Sequence, residues 1–322
     1  MKFALIGSGY RAHYYMDLCL RHKKDIEITS VLVRSAEKKE KLEKEYPFFF
    51  TTNEEDILSS RPDFIVVAVK KGEGVKTARR FTQKGFCVLT ETPVSIEKEE
   101  LEKIEKESSF SGRLLVAEQY PFYPTYRKII DIVNSGLLGK VNFVHLSICH
   151  DYHAMRMIRS LLNERPDAEY TIQTIEVKDS LTRTRDRYNT YLDGAMEEKP
   201  RTLSLITFED GKTALYDFSS SQYHSSIRHN ILHITGSRGE IINENLWYLD
   251  GNNSLKKEII SPDFQKVQEE KEEDLSAIFN LLTFMEKVKD AKKEDEVYQE
   301  AVRNLENAVK DSKMHLDLMG TL

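Results

Sequence analysis

The apolar run Phe3-Ala4-Leu5-Ile6 passes without a break into Gly7-Ser8-Gly9-Tyr10-Arg11-Ala12, and few short patterns restrict a fold so tightly. Gly-x-Gly-x-x-Ala carries meaning only where a buried strand turns sharply into a helix, and the residue order supplies all three parts. In that setting Gly7 permits the turn, Gly9 lets a pyrophosphate approach the backbone, and the small Ala12 lets the helix pack closely on its strand. The unpaired N–H groups at the helix start then face the phosphates. The expectation is a dinucleotide site built on Gly7, Ser8, Gly9, Tyr10 and Arg11.

The segments that follow keep the rhythm such a turn needs. Residues 13–23 read as a helix, Ile26–Val33 as a β-branched strand, Lys38–Tyr46 and Asp56–Ser60 as helices. The run Asp63–Val69 is continuously apolar after its first residue, as in a strand covered on both faces of a parallel sheet. Helix Gly74–Lys84, strand Phe86–Thr90, helix Lys98–Ser108 and strand Arg113–Glu118 complete the alternation. Each parallel connection needs a crossover helix, so residues 1–120 are expected to form an α/β domain with a doubly wound parallel sheet.

Past Pro121 the rhythm changes. One helix, Pro124–Ser135, stops at Gly136, and strands follow at Val141–Ile148, Thr171–Val177, Thr202–Phe208, Thr213–Ser219, Asn230–Gly236, Glu240–Asn243 and Leu246–Leu249. Asp210-Gly211 and Asp250-Gly251 are turn signals between them. A helix near Ala154–Asn163 and two more at Leu275–Asp290 and Asp295–Ser312 complete the pattern. Residues 121–322 are thus expected to be an α+β domain with an open, mainly antiparallel sheet, and Lys266–Asp274 to be a solvated linker.

At 322 residues the chain exceeds what one core serves, in line with two domains. Charged residues make up 31% and no long apolar stretch exists, so no membrane span is expected. The first apolar run is broken by Gly7 too soon for a signal peptide, which makes the cytoplasm the default. A formal net charge of -6 argues against nucleic acid as a partner. Cys19, Cys87 and Cys149 match neither a disulfide framework nor metal-ligand spacing and read as buried apolar residues, so no metal site is expected. Small molecules are the expected partners.

The end of the second strand indicates the form of the nucleotide. An acidic residue there would take the ribose 2′-hydroxyl of NAD. The segment is instead Val33-Arg34-Ser35, with a cation and a hydroxyl suited to a phosphate, which favours NADP over NAD.

With these pieces placed, the chain resembles the Gfo/Idh/MocA family, the group of glucose-fructose oxidoreductase and inositol dehydrogenase. The residues that carry the resemblance are the glycine turn, Thr90-Glu91-Thr92-Pro93, Tyr123-Pro124, Gly136-Leu137-Leu138-Gly139-Lys140-Val141 and Gly236-Ser237-Arg238-Gly239, in that order. The resemblance implies a Rossmann domain and a second, open-sheeted domain that carries substrate and mediates homo-oligomers. It also implies an NAD(P)-dependent oxidoreductase acting on CH–OH groups of a sugar, polyol or sugar-derived acid. Cofactor contacts implied beyond the glycine turn are Ala68, Glu91 and Pro93; Tyr120 is expected to line the cleft, and Arg156, by its place near His153, to hold an anionic group of the substrate.

Two departures stand out. In the family a Glu-Lys-Pro segment places a lysine beside the nicotinamide, and here Thr92 holds that place without a charge. The family's Gly-x-His-x-x-Asp appears as Asp151-Tyr152-His153-Ala154-Met155-Arg156, so His153 matches the proton-moving histidine while Arg156 replaces the aspartate. His150 is its less favoured substitute. Lys70, or Lys71 beside it, follows the fourth strand and is a candidate for the missing cation. The alternation of Arg183, Arg185 and Arg187 puts them on one face of any strand they form, either toward an anionic substrate or on a solvated edge. The loss of the lysine keeps a second function open, a catalytically inactive dinucleotide-binding sensor or regulatory protein.

Overall fold

The computed structural model describes residues 1–107, 110–186, 188–260 and 270–321. Two compact units emerge from it. The first comprises Met1–Pro124 together with two later helices as far as Ser312.

Its sheet follows from the alternation. Strands β1 (Lys2–Ile6), β2 (Glu27–Leu32), β3 (Phe50–Thr51), β4 (Phe64–Val67), β5 (Val88–Thr90) and β6 (Leu114–Val116) form a parallel sheet in the order β3-β2-β1-β4-β5-β6. Helices α1 (Tyr10–Arg21), α2 (Ala36–Glu43), α3 (Glu54–Ser59), α4 (Gly74–Thr82) and α5 (Lys98–Lys106) supply the crossovers. The Phe64-Ile65-Val66-Val67 run is wholly buried, as a strand covered on both faces must be. The order reverses between β1 and β4, so the glycine turn after β1 stands at the switch point where such sheets open a crevice.

Two differences from the sequence reading concern this unit. Strand β3 is only two residues long and too short to leave a periodic signal. Helix α8 (Glu270–Val288) takes in residues read as linker, since Glu270–Asp274 belong to its first turns; Lys266 lies outside the described residues. Leu275, Ile278, Leu281, Leu282 and Met285 follow helical spacing and join Phe3, Tyr15 and Leu18 in the core, so α8 packs on α1. Helix α9 (Glu296–Gly320) adds Ala301 to the same core. The first unit therefore includes residues far beyond 120, recruited by apolar faces that sequence distance conceals. The predicted helix end at Ser108 lies outside the described residues.

The second unit begins at Thr125 and takes up the end of α9 from Lys313. After helix α6 (Pro124–Asn134), whose proline is at a position where its missing N–H costs nothing, come β7 (Val141–Ser147) and helix α7 (Asp151–Leu162). Strands β8 (Tyr170–Thr182), β9 (Met196–Phe208), β10 (Thr213–Ser219), β11 (Ile231–Gly236), β12 (Gly239–Ile242), β13 (Asn245–Leu249) and β14 (Leu255–Ile259) follow. Their order is β14-β13-β12-β11-β7-β10-β9-β8, antiparallel throughout except for β7 beside β10. The predicted mainly antiparallel sheet is present, with β8 and β9 longer than the sequence signalled. One face is open: Ile175 is 61% exposed and Leu205 42%, while Ser204 and Ile206, which point the other way, are buried.

Beyond β8, Arg183 ion-pairs with Asp193 and its guanidinium lies 4.3 Å from the Tyr191 ring centroid. That bond holds the Asp193 carboxyl down to about 2. Arg185 makes an isolated bridge with Thr190, and Arg187 lies outside the described residues. Cys19, Cys87 and Cys149 are buried free thiols. Among the described residues no helix is long and apolar enough to cross a membrane, and no group of ligating side chains could hold a metal.

Candidate dinucleotide site and the start of helix α7

The turn after β1 is fixed from two sides. The Gly7 N–H donates to the Leu32 carbonyl at 3.0 Å, and the Ala68 N–H donates to that of Ile6 at 2.8 Å, so β2 and β4 clamp the end of β1. Gly7 has φ of +127°, and a Cβ there would fall 2.0 Å from the Ala68 carbonyl oxygen. Only glycine fits. Gly9 differs in kind: its φ of -86° suits any residue and a Cβ would meet nothing within 4 Å. Its missing side chain leaves open space at the first residue of α1, where no side chain caps the helix. An open cradle at uncapped helix N–H groups fits a pyrophosphate.

Around this cradle lies a cavity of about 830 Å³ along the carboxyl edge of the parallel sheet. Gly7, Ser8, Gly9, Tyr10, Arg11, Arg34, Ser35, Ala68 and Lys70, all singled out from the sequence, line it. Glu91, Thr92 and Pro93 do not. Arg34, Lys70 and Ser35 are exposed, and Ser35 Oγ accepts the Lys38 N–H at 3.3 Å as the cap of α2, which leaves its hydroxyl proton free to donate. Three charged side chains of the wall were not anticipated: Lys38, Glu54 and Arg80. Lys38 was hidden inside a predicted helix, and no local pattern signals that α3 and α4 deliver the other two.

Glu91 faces inward. Its Oε1 accepts from the Tyr15 hydroxyl at 2.8 Å and its Oε2 lies 3.3 Å from Arg11 Nε. A terminal nitrogen of Arg11 is 3.6 Å from Asp274 Oδ1, the oxygen that also accepts from the Tyr123 hydroxyl. Burial opposes the Arg11 charge, yet Glu91 and then Tyr15 and Asp274 outweigh it and raise the pKa above that of an ordinary arginine. Burial, followed by the charge of Glu91, pushes the Tyr15 hydroxyl well above its usual range. The network ties α1, the segment after β5 and α8 together. Asp274, read from sequence as a linker residue, is one of its two carboxylates. Thr92, half-buried in the segment that Glu91 anchors, precedes a cis Pro93. Tyr120 occupies a 3₁₀ turn, Tyr120–Phe122, its ring edge-on to Tyr123 at 5.1 Å.

In the second unit α7 begins at Asp151, three residues earlier than the sequence suggested, so His153 sits within its first turn rather than ahead of it. His153 is 6% exposed, with ring centroids 4.4 Å from Tyr152 and 5.2 Å from His150. His150 precedes the helix, its Nδ1 3.1 Å from Asp151 Oδ2 and its backbone N–H donating to the Tyr223 hydroxyl at 3.1 Å. The other Asp151 oxygen lies 3.8 Å from His315 Nδ1. A carboxylate on Nδ1 fixes the tautomer that leaves Nε2 for proton transfer. Asp151 adopts φ of +53°, a left-handed conformation that a local contact must hold. Arg156 is half-buried one turn beyond His153.

Comparison with known proteins matches residues 1–118 to the Gfo/Idh/MocA family profile, described as an oxidoreductase family with an NAD-binding Rossmann fold. The resemblance read from the sequence is borne out over those residues. YteT of Bacillus subtilis (strain 168), a protein with an oxidoreductase name, is 30% identical over 96 residues, or 29% of this chain and 22% of its own length. The chain thus matches less than a quarter of that curated relative. Likeness of fold extends much further. An oxidoreductase of Thermotoga maritima superposes with a TM-score of 0.68 at 18% identity, covering 100% of this chain and 96% of the other. Apo scyllo-inositol dehydrogenase of Lactobacillus casei gives 0.68 at 12%, covering 100% and 96%. The WlbA dehydrogenase of Bordetella pertussis, solved with NADH and UDP-GlcNAcA, gives 0.65 at 13%, covering 100% and 95%.

Proposed function

From an N-terminal domain that carries the NAD-binding Rossmann fold of the Gfo/Idh/MocA oxidoreductases over residues 1–118, we propose an NAD(P)-dependent dehydrogenase or reductase. Its substrate is a CH–OH group of a sugar, polyol or sugar-derived acid, the class to which an inositol dehydrogenase and a UDP-GlcNAcA-bound dehydrogenase of the same fold point. The observation that carries this reading is the open cradle at Gly9 within a cavity at the sheet's switch point. A nicotinamide bound there supplies the hydride chemistry.

The chain's own residues do the rest. Gly7, Ser8 and Gly9 with the start of α1 receive the diphosphate, Tyr10 and Ala68 shape the wall, and Arg34 and Ser35 favour NADP. Arg11 and Glu91 act through the segment they anchor, holding Thr92 and Pro93 in place. Oxidation of an alcohol releases a proton, which we assign to His153 or, by its tie to Asp151 and its greater exposure, to His150. Lys70, exposed on the cavity wall, is the candidate cation in place of the family's lysine. Tyr120 and Arg156 are proposed substrate contacts. The open face with Ile175 and Leu205 supports a homo-oligomer, which the mass in solution decides.

Thermal-shift and fluorescence titrations with NADPH and NADH test the core of this proposal. Gly9→Val is the decisive variant, because nothing in the protein opposes a side chain there. Expected is an unchanged melting point with affinity for both nucleotides lowered about a hundredfold, ~2.7 kcal/mol. Undiminished binding would overturn the cradle. A second reading, the sensor without turnover, is favoured by Thr92 in place of lysine. Tight nucleotide binding with no absorbance change at the nicotinamide band across sugars, polyols and their acids would select it.

A further inference from the structure

The chain as a whole is acidic, at a formal net charge of -6, yet the cavity at the sheet edge is lined by the cations Arg11, Arg34, Lys38, Lys70 and Arg80 and the single carboxylate Glu54. With Arg11 held by Glu91 and Asp274 and Arg80 by Glu54, the surplus of Arg34, Lys38 and Lys70 calls for an anionic ligand. A diphosphate at the glycine turn accounts for part of it. The cations beyond that turn come from separate elements: Arg34 from the end of β2, Lys38 from α2 and Arg80 from α4. The side chains of Arg34 and Lys38 make no ion pair among the described residues.

Glu54 is the carboxylate that would oppose this reading, since an acid in that region is how a ribose 2′-hydroxyl is bound. Both of its oxygens are engaged. Oε2 accepts from Arg80 Nε at 3.3 Å and from an Arg80 terminal nitrogen at 3.2 Å, and Oε1 accepts from Lys84 Nζ at 3.3 Å. The Arg80 fork closes on one oxygen rather than two, and its side chain is 51% exposed, so the pair costs little to open. If Arg80 turns away, Lys84 still neutralises Glu54.

We propose that Lys38 and Arg80 complete a clamp for the 2′-phosphate of NADP begun by Arg34 and Ser35, with Glu54 the counterion from which the phosphate takes Arg80. The inference rests on the dinucleotide reading above and adds the residues that set its specificity. A phosphate monoester brings nearly two charges and three acceptor oxygens, enough to occupy a guanidinium fork and an ammonium together. NAD, with a hydroxyl there, offers neither cation a charge.

Full-length protein titrated with NADPH, NADH and 2′,5′-ADP tests it. Expected is tighter binding of NADPH than NADH, with Arg80→Ala and Lys38→Ala each weakening NADPH and 2′,5′-ADP about tenfold and NADH less than about twofold, the scale of one charge-assisted hydrogen bond. Glu54→Gln should tighten NADPH a few-fold and leave NADH unchanged. The clamp is overturned if the alanine variants shift both nucleotides alike or neither, or if Glu54→Gln weakens NADH, which would make Glu54 the ribose ligand. Wild-type protein that binds neither nucleotide would sink the dinucleotide reading itself, a result distinct from loss of preference. Melting points of the variants confirm that each is folded.

Discussion

The glycine turn after β1 and the start of α7 are both places where a strand gives way to a helix, and both carry residues marked as functional from the sequence. They are built on different principles. The turn is made of backbone clearances: Gly7 is compelled by a carbonyl 2.0 Å from where its Cβ would be, and Gly9 is left empty with no such compulsion. The start of α7 is made of side-chain partnerships, in which Asp151 holds His150 and lies near His315, and His153 is packed against its neighbours. Clearances are encoded by residue type and can be read locally. Partnerships depend on what the fold brings near.

Four substitutions, set beside Gly9→Val, break or sharpen this contrast. The largest effect is expected at Gly7: Gly7→Ala faces both a left-handed φ and a backbone oxygen, and should lose more than about 3 kcal/mol of stability. Set beside a Gly9→Val protein of wild-type stability, it separates the glycine that builds the turn from the one that leaves room. Equal melting points for the two would erase the distinction. Next is Arg11→Met, which strands Glu91 and Asp274 without their shared cation. Allowing for partial exposure, the loss should be about 2–3 kcal/mol in urea unfolding, and a change under about 0.5 kcal/mol would show that the network holds nothing. The smallest effects belong to α7. His153→Gln, at a buried position, should cost about 1–2 kcal/mol, whereas His150→Gln, ahead of the helix and partly exposed, should stay within about 0.5 kcal/mol. Should His150 prove the costlier of the two, the greater packing role would belong to His150 rather than to His153.

The same contrast explains what could be read in advance. The alternation of strands and helices, the cradle residues and Arg34 were legible because each depends on neighbours within a few positions. Lys38, Glu54 and Arg80 were not, since three elements converge on one cavity only after the sheet has formed. Asp274 was concealed by its surroundings: a run of lysine and glutamate is the pattern of a solvated segment, and one carboxylate turned toward Arg11 leaves no periodic trace. His153 was singled out by type, but its burial depended on a helix start at Asp151 that a left-handed residue disguises. Strand β3 failed the simplest test, that of length.

The first unit is discontinuous in the chain, and this bears on its biogenesis. Met1–Pro124 emerge from the ribosome early, but Leu275, Ile278, Leu281 and Leu282, which cover α1, follow only after some 150 further residues have been made. The sheet of this unit is therefore made well before the helix that covers it, with an apolar flank bare in the interval. A fragment cut after residue 124 would keep every glycine of the turn and still lack the cover on its own core, so expression of the isolated N-terminal half is the wrong route to a working cofactor domain.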